Sequence, residues 1–223
     1  MNRSNILQIT TVVSDGFGEN GYVARCTATG QYVIIDPGNR IDRFDAIIES
    51  EGRAPTGILL THAHVDHVEG VAALKRATGA PVWLHPADRP LYDAAAAQAS
   101  MFGMRIEAPP PPDREWSDGA VYRFGECELE VRHVPGHAPG HVVLYSAAAG
   151  AAFVGDVVFA GSIGRTDLPG GDFQQLIDGI RARVLSLPDA TELYPGHGPP
   201  TTVAIERATN PFVSPQFGGS RFA

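Results

Sequence analysis

Between the apolar run Gly57-Ile58-Leu59-Leu60 and a helical stretch that begins near Val68 stands the segment Thr61-His62-Ala63-His64-Val65-Asp66-His67. It places four metal-type donors within six residues, at the point where a strand has to give way to a helix. His62 and His64 are two apart, so an extended backbone turns both side chains the same way. Asp66 and His67 fall where the chain enters the helix. Donors this dense do not all reach one ion comfortably, but they can serve two neighbouring ions. A plainer reading makes Asp66 a helix N-cap with Glu69 at N3 and leaves the histidines as polar surface. Ligand clusters of this density rarely arise from packing needs. Asp66 is also able to cap the helix and serve the site together.

Three later segments follow one grammar of apolar strand, tight turn and donor. Leu129 to Val134 leads into Pro135-Gly136-His137, Phe153-Val154 into Gly155-Asp156, and Leu193-Tyr194 into Pro195-Gly196-His197. Glycine lets the backbone turn sharply and approach a site closely. Strands that deliver donors from one kind of edge are what a metal site at a sheet rim requires. The inventory is then His62, His64, Asp66, His67, His137, Asp156 and His197, which is five histidines, two aspartates and no cysteine. Such donors suit zinc, iron or manganese without selecting among them. A carboxylate such as Asp156 can bridge two ions. Bound water then falls to a pKa near ~7, which makes hydroxide available at neutral pH for hydrolysis.

The other histidines read differently. His133 and His141 flank His137 and are expected to hydrogen-bond to backbone beside the site or in the core. His85, before Pro86, is read as structural or as part of the rim. Arg165, in Gly161-Ser162-Ile163-Gly164-Arg165-Thr166-Asp167, either binds a substrate carboxylate or pairs with Asp167 and pins its loop.

Composition narrows the class. A formal charge of -8, a single lysine (Lys75) and scattered arginines argue against nucleic acid, which needs a basic stripe. No apolar run approaches the roughly 20 residues of a membrane span, and Met1-Asn2-Arg3-Ser4-Asn5 opens no signal peptide. The expected compartment is the cytoplasm, where Cys26 and Cys127 are read as buried and reduced.

Hydrophobic patterning gives alternating elements. Strands are expected over Ile6 to Val13, Tyr22 to Thr27, Tyr32 to Ile35, Gly57 to Leu60 and Pro81 to Leu84. Helices are expected over Arg40 to Glu51, Val68 to Ala77 and Leu91 to Phe102. Pro109 to Pro112 is a stiff surface connector. The second half adds a hairpin over Val121 to Val134, strands Val142 to Tyr145 and Ala152 to Val154, and a helix from Phe173 to Val184 capped by Asp172. Leu193-Tyr194 and a helix from Val203 to Ala208 close the series. Apolar strands interspersed with helices in both halves indicate an α/β chain of sheets covered by helices.

The residues His62-Ala63-His64-Val65-Asp66-His67 resemble the HxHxDH signature of the metallo-β-lactamase superfamily, and His137, Asp156 and His197 fall where that superfamily places its remaining ligands. The resemblance runs from Asn20 and Asp36-Pro37-Gly38 to Asn210-Pro211-Phe212. It implies a four-layer αβ/βα sandwich, expected here as a single domain over residues 1–223 without a separate C-terminal glutathione-binding helical domain. It also implies that His62, His64 and His137 hold one ion, that Asp66, His67 and His197 hold the second, and that Asp156 bridges them.

Within the superfamily, His133-Val134-Pro135-Gly136-His137-Ala138-Pro139-Gly140-His141 is similar to the glyoxalase II motif. Gly164 to Asp172 and Gly196 to Thr202 are similar to short bacterial glyoxalase II-like proteins. That similarity implies a cytoplasmic hydrolase with two divalent ions, zinc before iron or manganese. It acts on a small-molecule acyl thioester, S-D-lactoylglutathione or a related hydroxyacylglutathione, by a metal-bound hydroxide, with Asp66 as the catalytic residue that orients it. The rival readings are a persulfide dioxygenase with one iron and a lactone or β-lactam hydrolase of the same fold.

Overall fold

A computed structural model describes residues 6–214. The first sheet holds six strands in sequence order: β1 (Leu7–Val13), β2 (Asn20–Cys26), β3 (Tyr32–Ile35), β4 (Ile58–Leu59), β5 (Val82–Leu84) and β6 (Arg114–Glu115). β1 to β3 form an antiparallel meander, and β3 to β6 run parallel. The second sheet begins with β7 (Val121–Phe124), β8 (Cys127–His133), β9 (Val142–Ser146) and β10 (Ala151–Gly155). A two-stranded hairpin, β11 (Val158–Phe159) with β12 (Ser162–Ile163), stands apart. β13 (Glu192–Pro195) and β14 (Thr201–Thr202) then complete the order β14-β13-β10-β9-β8-β7.

The two sheets pack face to face, because strands such as β3 and β10 are apolar on both sides and have to be covered on both. Tyr22, Ala24, Val33 and Ile35 of the first sheet meet Phe124, Leu129, Leu144 and Phe153 of the second. The alternate residues Val23, Tyr32, Ile34 and Val82 face outward onto helices α1 (Ile41–Glu51), α2 (Val65–Val68), α3 (Val71–Thr78), α4 (Arg89–Asp93) and α5 (Ala95–Met101). Val143, Ala152, Val154 and Leu193 do the same for α6 (Phe173–Gly179) and α7 (Val203–Thr209). The result is helix, sheet, sheet, helix, the four-layer sandwich the sequence implies.

Several elements differ from the sequence reading. The helix expected over Val68 to Ala77 is two helices, α2 and α3, broken at Gly70. The Gly70 N–H donates to Pro37 O at 2.8 Å. A Cβ there would lie 2.5 Å from Gly38 O and 2.8 Å from Pro37 O, so the helices separate where the Asp36-Pro37-Gly38 loop presses in. The stretch from Leu91 to Phe102 is likewise split at Ala94, whose backbone leaves the helical region. The helix from Phe173 ends as a π-helical turn over Ile180–Val184, with Asp172 capping its start through the Gln175 N–H. Strands β6, β11, β12 and β14 have two residues each, too few to show a period in the sequence. Cys26 and Cys127 are free and buried. Among the described residues no helix is long and apolar enough to cross a membrane.

Candidate metal centre

The donors gather at one rim because of strand direction. β8 and β10 both run antiparallel to β9, and β13 runs parallel to β10, so all three end on the same side of their sheet. Their exits carry His137, Asp156 and His197. β4 ends below Thr61 in the first sheet, and the Val142 N–H donates to Thr61 O at 2.8 Å, which joins the two rims. Carboxyl ends of strands are where such sheets offer sites.

His62, His64 and His137 form the first group. His64 Nδ1 lies 2.8 Å from His137 Nε2, and His62 Nε2 lies 3.2 Å from the same atom. The outer nitrogens of His137 and His62 are occupied, while that of His64, Nε2, is buried without a partner. His137 Nδ1 meets Arg165 O at 2.7 Å, and His62 Nδ1 meets Thr61 Oγ1 at 3.1 Å. Burial pushes all three imidazoles below their ordinary pKa, His64 to about 3. One ring nitrogen of each residue converges on a common point, an arrangement that suits a cation.

Asp66, His67 and His197 form the second group. Asp66 Oδ2 is 3.2 Å from His197 Nε2 and 3.8 Å from His67 Nε2. The residue is not the N-cap. His64 holds that position, Asp66 sits inside the first turn of α2, and its carboxylate faces the histidines. Burial alone would raise the Asp66 pKa, but His67 and His197 hold it below the usual carboxylate value.

Asp156 stands between the groups. Its Oδ2 is 3.5 Å from His137 Nε2 and 3.6 Å from His197 Nε2, and its Oδ1 is 3.4 Å from His67 Nε2. The facing atoms His67 Nε2 and Asp156 Oδ1 are both buried without a hydrogen-bond partner. Unpaired buried donors and acceptors are costly, so two of them facing each other fit a bound cation. A Cβ at Gly196 would lie 2.1 Å from Asp156 Oδ1 and 2.7 Å from His67 Cε1, so only glycine leaves this space open. The donor set fits divalent metal ions on these grounds.

A further grouping, Asp36 with His62 and His67, is equally close. Its carboxylate is already engaged. Asp36 Oδ1 accepts the Thr61 N–H at 2.7 Å, and Oδ2 accepts the Thr61 hydroxyl at 2.5 Å and meets His67 Nδ1 at 3.1 Å. It orients the ring rather than opening toward the cleft.

Supporting residues the sequence reading passed over are Asp88 and Glu19. Asp88 is fully buried and accepts the N–H groups of Ala63 and Gly140. Burial pushes its carboxyl up to about 6. Glu19 is also fully buried, bonds to Ser14, and approaches His67 Nδ1 at 3.9 Å. Neither has a motif of its own. Asn20 donates to Pro195 O and Gly198 O on either side of the Gly196-His197 turn. His141 accepts the Asp156 N–H at 3.0 Å, and His133 meets Pro139 O at 2.9 Å, as their place beside His137 suggests. His85 stacks on His133 with centroids 4.1 Å apart. The Arg165 guanidinium is exposed and doubly bonded to Asp167, at 2.7 and 2.8 Å.

Comparison with known proteins gives one family. The model of the metallo-beta-lactamase superfamily matches residues 14–197. The chain is 38% identical over 183 residues to the hydroxyacylglutathione hydrolase GloC of Haemophilus influenzae, covering 81% of this chain and 86% of that protein. A di-iron-bound crystal structure of TTHA1623 superposes with a TM-score of 0.84 at 44% identity, over 92% of this chain and 100% of that one. The BLEG-1 B3 metallo-beta-lactamase superposes with a TM-score of 0.86 at 35% identity, over 92% and 99%.

Proposed function

The chain belongs to the metallo-β-lactamase superfamily, and from that premise we propose that it is a binuclear metal-dependent hydrolase of an acyl thioester, with S-D-lactoylglutathione or a related hydroxyacylglutathione as substrate. The observation that carries the reading is the position of Asp156, whose single carboxylate lies within 3.6 Å of a nitrogen in each donor group. The similarity to GloC supports the thioester.

In this reading His62, His64 and His137 would hold one ion, Asp66, His67 and His197 would hold the other, and Asp156 would contribute to both. Zinc would suit both positions, and iron or manganese the same donors. When bound, such ions supply Lewis acidity and lower the pKa of water to about 7.

The chain's own groups do the rest. Asp66 stays ionised at neutral pH because its histidine neighbours hold its pKa down. Its carboxylate therefore accepts a hydrogen bond from the attacking water and fixes its direction. His137 keeps its ring orientation through Nδ1 and the Arg165 carbonyl, and His67 keeps its own through Nδ1 and Asp36. The leaving group is a thiol, whose pKa near 8.5 lets it depart as thiolate without a general acid. The partner of the reaction is a small molecule, not nucleic acid, and the cytoplasm is the compartment that suits it.

The test is hydrolysis of S-D-lactoylglutathione by purified protein with its metal content quantified. Turnover abolished by chelation and restored by added metal supports the reading. A fully loaded protein that leaves this thioester and others intact overturns it. Oxygen uptake with glutathione persulfide would then mark a dioxygenase.

A further inference from the structure

One wall of the cleft is made of side chains the hydrolytic reading does not use. Phe17 lies in the turn between β1 and β2, and Phe102 caps the C-terminus of α5. Their rings meet edge to face, with centroids 5.3 Å apart and planes at 87°. Both line the cavity of about 200 Å³ that reaches Asp66, Asp156 and His197. Both also line an adjoining groove of about 480 Å³ that continues past them to Met104 and Asn39. The aromatic pair is thus the shared lip of the two spaces.

The lip is open to solvent. Phe17 is 36% exposed, Phe102 51%, and neighbouring Met101 75%. Large apolar side chains clustered at the mouth of a polar site leave surface that gains by being covered. Val65 and Leu168 extend the apolar wall inward. The polar groups along it are already engaged. Both N–H groups of the Gln98 amide are taken by Ala63 O and Leu91 O. Arg165, the one arginine or lysine among the described residues lining the inner cavity, is bound to Asp167. At the outer end Asp15 faces Arg40 at 3.5 Å. An anionic arm finds little to bind here, and an apolar arm finds a platform.

We infer that the cleft selects acyl thioesters with an apolar acyl chain, which lies across Phe17 and Phe102 while the carbonyl sits over the donor cluster. The inference rests on the thioesterase reading above. The reaction it refines adds water across the C–S bond. The water oxygen bonds to the acyl carbon, the C–S bond breaks, and a carboxylic acid and a thiol leave. S-D-lactoylglutathione remains a substrate, and a longer, plainer acyl group on the same thiol is turned over more efficiently.

The test uses neutral N-acetylcysteamine thioesters of acetyl, butyryl and hexanoyl groups with metal-loaded protein. Full burial of a methylene favours binding about fourfold, and a half-covered one on an open lip about twofold. The four added methylenes should therefore raise kcat/KM about 15-fold from acetyl to hexanoyl, most of it in KM. Phe17→Ala and Phe102→Ala should flatten it, with the fold checked by circular dichroism. Calorimetry provides a readout free of turnover: the S-hexyl thioether of N-acetylcysteamine should bind about 15-fold more tightly than the S-ethyl one, and Phe102→Ala should remove the difference. Turnover with a flat series, or a slope neither variant alters, overturns the inference and leaves the thioesterase standing. Absence of turnover with a chain-length preference that depends on Phe102 does the reverse.

Discussion

The Asp88 carboxylate reaches Gly140 across the molecule, accepting its N–H at Oδ1 at 2.5 Å while Oδ2 accepts the Ala63 N–H at 2.9 Å. Ala63 lies between His62 and His64, and Gly140 lies between His137 and His141. One buried carboxylate, itself no donor of the cluster, therefore ties together the two loops that carry the first histidine group. A Cβ at Gly140 would come within 2.9 Å of the Asp88 Cγ, so the glycine is what admits it.

Replacing Asp88 by Asn leaves one of these N–H groups facing an amide N–H. Such partners behind metal ligands are worth about 10- to 100-fold in affinity. Asp88→Asn should lose one bound ion about that much more readily in a chelator competition, and retain the other. Unchanged affinity for both ions would show that the loops hold their shape without it.

Asp66→Ala removes a donor and the carboxylate expected to direct water. Turnover of S-D-lactoylglutathione should fall about 10²- to 10⁴-fold, the span associated with a positioned acid or base. Kinetics and metal analysis on the same sample check it. A variant with full metal and full rate would sink the role.

Gly136 has φ +124, and a Cβ there would lie 2.4 Å from Leu176 N and 2.6 Å from Leu176 Cα. Both are backbone atoms, which cannot move aside as a side chain can. Gly136→Ala should destabilise the protein by at least about 1–3 kcal/mol from backbone strain alone. Urea unfolding measures it. Because the neighbouring residue is His137, metal affinity should fall with it.

His85 provides a pH test away from the donors. Burial, and then the His133 ring stacked on it, push its pKa down to about 4. The folded state thus binds fewer protons than the unfolded chain between about pH 4 and 6.5. Its contribution to stability is complete above that window and is lost as pH falls through it. His85 also accepts the Ala87 N–H as an N-cap, a task Asn performs equally well. Metal-free His85→Asn should therefore lose less stability than the natural protein between pH 7 and pH 4, as read by urea midpoints. A constant difference across that range would remove His85 from the acid response.

The donor cluster was legible because its chemistry is written in residue type and spacing. His62 to His67 announces itself, and Gly136, Gly155 and Gly196 mark the turns that present the others. The strands were legible where they are long and apolar on both faces, as in β3 and β10. What stayed hidden depends on contacts between distant segments. Nothing near Asp88 in the chain shows that it pins Ala63 and Gly140, and nothing near Gly70 shows that the Pro37 carbonyl will press against it. The capping pattern around Asp66 and Glu69 pointed to a local role, but in the fold that carboxylate faces His67 and His197, the latter from a distant part of the chain. Two-residue strands such as β12 exist only because a partner lies beside them.

The Asn20–Gly198 hydrogen bond and the Glu19–His197 bridge close the rim across a separation of 178 residues. Contacts so remote in the chain form late, after the shorter loops have closed. A chain emerging from the ribosome presents His62 to His67 long before His197 exists to meet Asp66. The order of synthesis therefore makes His197 the last donor of either group to become available. Metal uptake by the group of Asp66, His67 and His197 requires the chain through His197, whereas the group of His62, His64 and His137 requires it only through His137.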